Sequence, residues 1–438
     1  MRTNETAETI SRFRLENGLR LIVAPATSPG IAAVNLWYGV GSRHEAPGRT
    51  GFAHLFEHLM FEGSANVAEG EHFKIVEGLG GAINASTWTE RTNYFDTVPE
   101  HGLDVVLWLE ADRLATLREG VTQAVLDNQR DVVKNEKRQR YDNVPYGTAS
   151  ERLLAAVYPP GHPYHHPTIG SMADLDAATL SDVMAFHDQQ YGPDNAVLTV
   201  VSGLDPEDVR ARVERFFGPI PRRAEVPPTP DPGLGDRMTE AVSETVTGDV
   251  PQPAVFMAYR VGALGTREHD VASLAAALLG SGEGSRMYRR LVVERQVAAD
   301  DDEMASVMPF RYTPGMVMIG VLARDGISGD QLEDEITKEV AALASGVDAA
   351  EVERARAVLE RDHVRSIASP TGYANTLSMY TQLFDDPGLA RTWPRRLDDI
   401  TAGEVAAFAA DALVDTNRVV LRYVPAGEQA EQAEQEEA

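Results

Sequence analysis

Residues 51–64 read GFAHLFEHLMFEGS, and residues 270–285 read DVASLAAALLGSGEGS. Setting Phe52 against Val271, 219 positions on, pairs two apolar helical stretches. The segments before them match as well: AAVNLWYGVGSRHE (32–45) resembles PAVFMAYRVGALGTREHD (253–270). A strand–loop–helix unit therefore recurs, and the chain reads as two related halves. Its 438 residues are about two to three times the size of an ordinary domain, as a duplication requires. The pairing also separates chemistry from scaffold. His54, Glu57 and His58 of the first copy face Ser273, Ala276 and Ala277 of the second, so the second copy has plain core residues there.

Outward from that helix the pattern alternates between strands and helices. FRLENGLRLIVAP (13–25) reads as a hairpin with Asn17-Gly18 as the kind of turn found in two-residue loops. IAAVNLWYGVGS (31–42) is a further strand, and GGAINASTWTERTNYFDTV (80–98) reads as two more. Helical periodicity covers 50–62, 69–79, 101–117 and 121–142. NAVLTVVSG (195–203) is a strand, followed by the helix DPEDVRARVERFFG with Asp205 as N-cap. The fold class expected is α+β, two structurally related halves, each an antiparallel-rich sheet with helices mainly on one face. PIPRRAEVPPTPDPGLG (219–235) holds six prolines and can form neither a helix nor a central strand. The expected division is a first domain over 1–220, a linker over 221–235, a second domain over 236–426 and an acidic, low-complexity tail over 427–438.

Composition removes several classes of function. The net charge is −27, from 40 Lys plus Arg against 67 Asp plus Glu, and a nucleic-acid binder needs a basic face. A basic peptide is instead a welcome substrate. There is no cysteine, so thiolate catalysis, disulfides and Cys-based zinc sites are excluded. No stretch has the length and apolarity of a membrane span, the first residues lack a signal-peptide core, and the cytoplasm is the expected location.

His54-Leu55-Phe56-Glu57-His58 carries the chemistry. On a helix the two histidines lie one turn apart on one side, with Glu57 beside both. Phe52, Leu55, Phe56, Leu59 and Met60 cover the rest of the circumference, so the helix is expected to be largely buried. Two imidazoles and a carboxylate in such a helix are costly without partners. A metal removes that cost. Two neutral His nitrogens and one further carboxylate form the three-ligand set of catalytic zinc with an open position, and Glu57 can take the proton from the water that zinc acidifies.

GFAHLFEHLMFEGS resembles the inverted zinc motif of the inverzincins, the pitrilysin/insulinase-like metallopeptidases. In length the chain resembles the mitochondrial processing peptidase β-subunits and their bacterial relatives. Arg43-His44-Glu45, Gly80-Gly81 then Asn84-Ala85, Thr92-Asn93-Tyr94, HPYHHPTIG (162–170) and GSRMYRRL (284–291) follow in that family's order. The resemblance implies a zinc endopeptidase with one Zn2+ per chain. It implies Glu136, 78 positions beyond His58, as third ligand; Glu110 and Glu119 are weaker rivals. Val125, Gln129, Val132 and Glu136 are expected to form an inward-facing helical stripe. Where relatives often carry a second Glu supporting the histidines, this chain has Gln129, which accepts a hydrogen bond but adds no charge. Asn84 and Ala85 fall on the edge strand to which substrate adds as a further strand.

The resemblance also implies an absence. Relatives built of two elements take an Arg and a Tyr, seven residues apart, from the second one. The corresponding places here are Val292 and Ala299; a shifted register offers Arg295, followed seven residues later by Asp302. The expected partner is therefore a homologous subunit supplying that element in a heterodimer, with a homodimer or a non-catalytic core-like subunit as alternatives. Of the acidic residues that relatives use to favour Arg near the cut, only Glu151 has a counterpart. His162, His165 and His166, among four prolines, read as a structural loop rather than a second metal site.

Overall fold

Six strands build the sheet of the first unit: β1 (Ser11–Arg14), β2 (Arg20–Pro25), β3 (Ile31–Tyr38), β4 (Ala82–Thr87), β5 (Thr92–Pro99) and β6 (Ala196–Ser202), in the order β1-β2-β6-β3-β5-β4. β6, AVLTVVS, is buried at all seven positions, the mark of a central strand covered on both faces. β2 and β6 run parallel; the other pairs are antiparallel. The turn between β1 and β2 is longer than two residues. Leu15 N donates to Leu19 O (2.9 Å), leaving Glu16-Asn17-Gly18 as the loop, because Asn17 turns its amide onto the Phe217 and Ile220 carbonyls at 2.8 and 3.0 Å. Gly18 has φ +94°, and a Cβ there would lie 2.9 Å from that of Asp194, so glycine is required.

One face of this sheet carries helix α1 (Phe52–Leu59), which packs against β4 and β5, and helix α3 (Leu103–Gly120); α2 (Glu71–Gly78) lies between α1 and β4 in sequence, and α4 (Gln123–Lys137) follows α3. The other face is covered by Pro370–Phe384, from the far end of the chain. It lays Tyr373, Ala374, Leu377 and Tyr380 on Ile22, Ala33, Trp37 and Val201. Ser378 donates to Thr199 (2.8 Å) inside this layer.

The second unit repeats the plan. β7 (Val242–Gly248), β8 (Ala254–Val261), β9 (Ala305–Met308), β10 (Gly315–Leu322) and β11 (Arg418–Pro425) form a sheet in the order β7-β11-β8-β10-β9. The pair β7–β11 is parallel and the rest antiparallel, so β7, β11, β8, β10 and β9 stand where β2, β6, β3, β5 and β4 stand in the first sheet. The duplication read from the sequence is present in the strand orders. Arg267–Gly280, Gly329–Ser345 and Ala402–Ala412 cover one face through Leu274, Leu278, Ile336, Val340, Val405 and Ala409. Ala149–Val157 covers the other, with Leu153, Leu154 and Val157 against Ala254, Met316 and Leu421. Each sheet thus takes one helix from the other half of the sequence. The units accordingly comprise Met1–Glu136, His166–Pro230 and Val364–Trp393, and Lys137–His165, Asp231–His363 and Pro394–Ala438.

The computed structural model describes residues 9–26, 28–223 and 233–427. Residues 224–232 of the expected linker and 428–438 of the expected tail lie outside that range. No helix among the described residues is long and apolar enough to cross a membrane.

A buried histidine makes the first unit sensitive to acid. His72 on α2 is 0% exposed, and neither ring nitrogen has a hydrogen-bond partner among the described residues. Burial, with Arg113 nearby, lowers its pKa to about 3. The unfolded chain, with an ordinary histidine pKa of about 6.5, takes up the proton first, so this contribution is intact above that pH and is lost as the pH falls toward 3. At pH about 5 the penalty is about 2 kcal/mol. Urea unfolding at pH about 7.5 and about 5 should show it, and His72→Leu should remove most of that share.

Candidate metal centre

α1 is an eight-residue helix with one polar side. Phe52, Ala53, Leu55, Phe56 and Leu59 are buried, and His54, Glu57 and His58 are half-buried. The apolar side is fixed by aromatic packing: Phe56 stacks on His187 (5.8 Å between ring centroids, 19°) and on Tyr191 (5.2 Å, 29°). Tyr94 Oη, from β5, donates to the Phe56 carbonyl at 3.4 Å. The two histidines stand edge to face with ring centroids 4.8 Å apart.

α4 brings a carboxylate to them. Glu136 Oε2 lies 3.6 Å from His54 Nε2 and 3.4 Å from His58 Nε2. The candidate donor atoms of the three residues lie within 4.8 Å of one another, the one such group of histidines and carboxylates among the described residues that could hold a metal ion. The inward stripe of α4 differs from the expected one. Leu126, Gln129 and Val133 are buried and Val132 is 40% exposed. Steps of three and four residues (126, 129, 133, 136) keep one face, whereas 132 falls off it.

Gln129 is buried, and its amide engages the Glu62 carboxylate. Burial raises the pKa of Glu62, with Glu69 adding to the rise and Gln129 and His58 opposing it. Glu62 was not picked out in the sequence, although it stands one turn beyond His58. Glu57 also has a raised pKa, first from burial; the Thr87 side chain, His58 and Arg91 oppose the rise and Glu136 adds to it. Arg91, equally unanticipated, lies over the Trp37 ring (5.2 Å) and donates to the Ser86 carbonyl (2.7 Å) and Asn93 Oδ1 (2.8 Å), tying the end of β4 to β5.

β4 is the last strand of its sheet. Asn84 is exposed and pairs with Phe95; Ala85 is buried and pairs with Tyr94. Ala85 N donates to Asn84 Oδ1 at 2.8 Å.

The other candidates fall elsewhere. Glu110 is buried and ion-paired with Arg113, and Glu119 is exposed at the end of α3. His162 stacks on Tyr158 (5.0 Å) and His165 Nδ1 meets the Tyr158 carbonyl at 2.7 Å, both in the second unit; His166, in the first, has its Nδ1 3.7 Å from Glu45. Val292 packs on the second unit's core, Ala299 N donates to the Leu322 carbonyl (2.9 Å), and Arg295 is ion-paired with Glu335 and Glu339.

The sequence profile described as Insulinase (Peptidase family M16) matches residues 21–168, and that of the Peptidase M16 inactive domain matches 177–359. The chain belongs to peptidase family M16. The first match contains His54, His58 and Glu136; the second contains Ser273, Ala276 and Ala277. Among M16 relatives, the chain is similar to the zinc protease PqqE of Helicobacter pylori, 28% identical over 94% of this chain and 92% of that one. It is similar to the crystal structure of a protease from Helicobacter pylori, with TM-score 0.86, 27% identity, and 95% of this chain and 100% of that one covered. A chain of complex III2 from Candida albicans shares the M16 fold, with TM-score 0.77, 16% identity, and 95% and 96% covered.

Proposed function

We propose that this M16 chain is a zinc-dependent endopeptidase subunit, with His54, His58 and Glu136 as the ligands of one zinc and Glu57 as the base. The convergence of two imidazole Nε2 atoms and one carboxylate oxygen at 3.4–3.6 Å carries the reading. Two nitrogen donors and one oxygen donor, half-buried and on two helices, match a catalytic zinc site, which keeps a fourth position open. Zinc held there supplies a Lewis acid for the scissile carbonyl and acidifies the attacking water. The chain's own part is to hold that water beside Glu57, which accepts its proton and returns it to the leaving amine.

The substrate is a peptide or unfolded segment that lies along β4 as an added strand. Backbone hydrogen bonds then give affinity with little demand on sequence. The Ala85 N–H, satisfied by Asn84 in the free protein, passes to the peptide, and the Asn84 amide turns to the peptide backbone. Net charge −27 favours basic peptides. The Arg-Tyr element comes from a homologous partner subunit, because Val292 and Ala299 cannot serve and Arg295 is ion-paired. A non-catalytic core-like subunit, the reading that the complex III likeness raises, has no use for a converged donor set.

Metal analysis tests this directly. The wild-type chain should bind one zinc. Glu136→Gln should weaken zinc binding by at least about 100-fold, since loss of even an outer partner costs about 10–100-fold. Chelator competition measures both, and unchanged zinc affinity in Glu136→Gln removes Glu136 from the ligand set.

A further inference from the structure

The backbone before α1 is unusual for a helix start. Eight residues are too few for a helix to be stable alone, and its first N–H groups need acceptors. Ser, Thr, Asp or Asn normally supplies one from the N-cap position, but here that position is Gly51. A side chain cannot be placed there. Gly51 has φ +93°, a Cβ on it would lie 2.9 Å from the Ile169 carbonyl oxygen, and one on Gly170 would lie 2.3 Å from Gly51 N.

Glu45 fills the gap from six residues upstream. It leaves the short 3-10 turn Ser42–His44, and its side chain is fully buried. Its Oε2 accepts from Gly51 N at 2.9 Å and its Oε1 from Ala53 N at 2.7 Å. One carboxylate thus satisfies two donors of the first turn, and the next residue is His54. Burial drives its pKa up to about 8, against the pull of those N–H groups. A buried carboxyl is a costly way to cap an ordinary helix. The residue before Gly51 is anchored independently: Thr50 donates N–H (2.9 Å) and Oγ1–H (2.6 Å) to Asp174, and accepts from Ser171 N at 3.0 Å.

We propose that Glu45 is a positioning residue for the metal site, replacing the cap that Gly51 cannot provide and fixing the direction in which the first turn of α1 presents His54. The inference rests on the zinc reading of α1. Metal sites tolerate about 0.5 Å of error in their ligands, and a loosened first turn moves His54 before it moves His58.

Glu45→Ala and Glu45→Gln, in the full-length chain, separate this from a general loss of stability. Glu45→Ala should bind zinc about 10–100-fold more weakly, the range for loss of an outer partner. With cobalt in place of zinc its visible spectrum should shift, and in the metal-free protein the Gly51 and Ala53 amides should exchange faster while those of β3 and β6 do not. Glu45→Gln keeps one accepting oxygen and should fall between. Val209→Ala, a truncation in the buried face of Pro206–Phe217, is the destabilised control and should keep the wild-type affinity and spectrum. Wild-type chain that binds no metal overturns the zinc reading and this inference with it. Wild-type metal binding with Glu45→Ala equal to it in affinity and spectrum overturns this inference alone.

Discussion

Glu57→Gln should retain one zinc per chain and lose about 10²–10⁴-fold in peptide cleavage, the usual contribution of a general base. Glutamine matches glutamate in size, and Glu57 lies on the half-buried side of α1 while Phe52, Leu55, Phe56 and Leu59 hold the helix from the other side. The substitution therefore leaves the histidines where they are. It removes only the capacity to accept a proton, so kcat should fall with KM nearly unchanged. Glu136→Gln is the contrasting case, because it strikes the group of donor atoms and should fail in metal binding first. Zinc loss in Glu57→Gln would make Glu57 a ligand; full activity would make it a bystander.

How much of this was legible follows from the range of each interaction. His54, Glu57 and His58 sit within five residues, and helical periodicity alone sets them on one side of α1. Glu136 depends on the pairing of two helices, which local pattern does not encode; the likeness to a known family reached it, and the stripe drawn through Val132 was off by one position because neighbouring apolar residues Val132 and Val133 compete for the inward face. The duplicated sheets were readable because buried strands repeat in order. The exchange of Ala149–Val157 and Pro370–Phe384 between halves was not, since an amphipathic helix declares an apolar face without naming the sheet that covers it. The contacts of Glu45, which stood in a quoted motif without a role, and of Glu62 escaped for a related reason. Glu45 acts across a turn on the start of α1 and Glu62 reaches Gln129 on α4, and a single charged residue near a loop looks like any solvated one.

The isolated chain should cleave peptides poorly even when fully loaded with zinc. Peptide hydrolysis needs an activated water, a polarised carbonyl and donors for the developing oxyanion, and loss of one such donor costs about 10²–10³-fold in kcat. In the proposed mechanism the zinc site and Glu57 provide the first two. The Arg-Tyr element that the resemblance implies has no counterpart at the expected places: Val292 packs on apolar neighbours, Ala299 is bonded through its backbone, and Arg295 is held by Glu335 and Glu339. Moving Arg295 to a substrate would break both ion pairs and leave the largely buried Glu339 without its guanidinium. Activity should rise by at least about 100-fold on mixing with a homologous subunit that carries Arg and Tyr seven residues apart and a degraded His-x-x-Glu-His. Self-association cannot substitute, because both copies lack the same two side chains. The measurement is turnover of a quenched fluorescent peptide by the zinc-loaded chain alone, by the partner alone and by the mixture. Full turnover by the single purified chain would overturn the requirement for a partner while leaving the metal site intact.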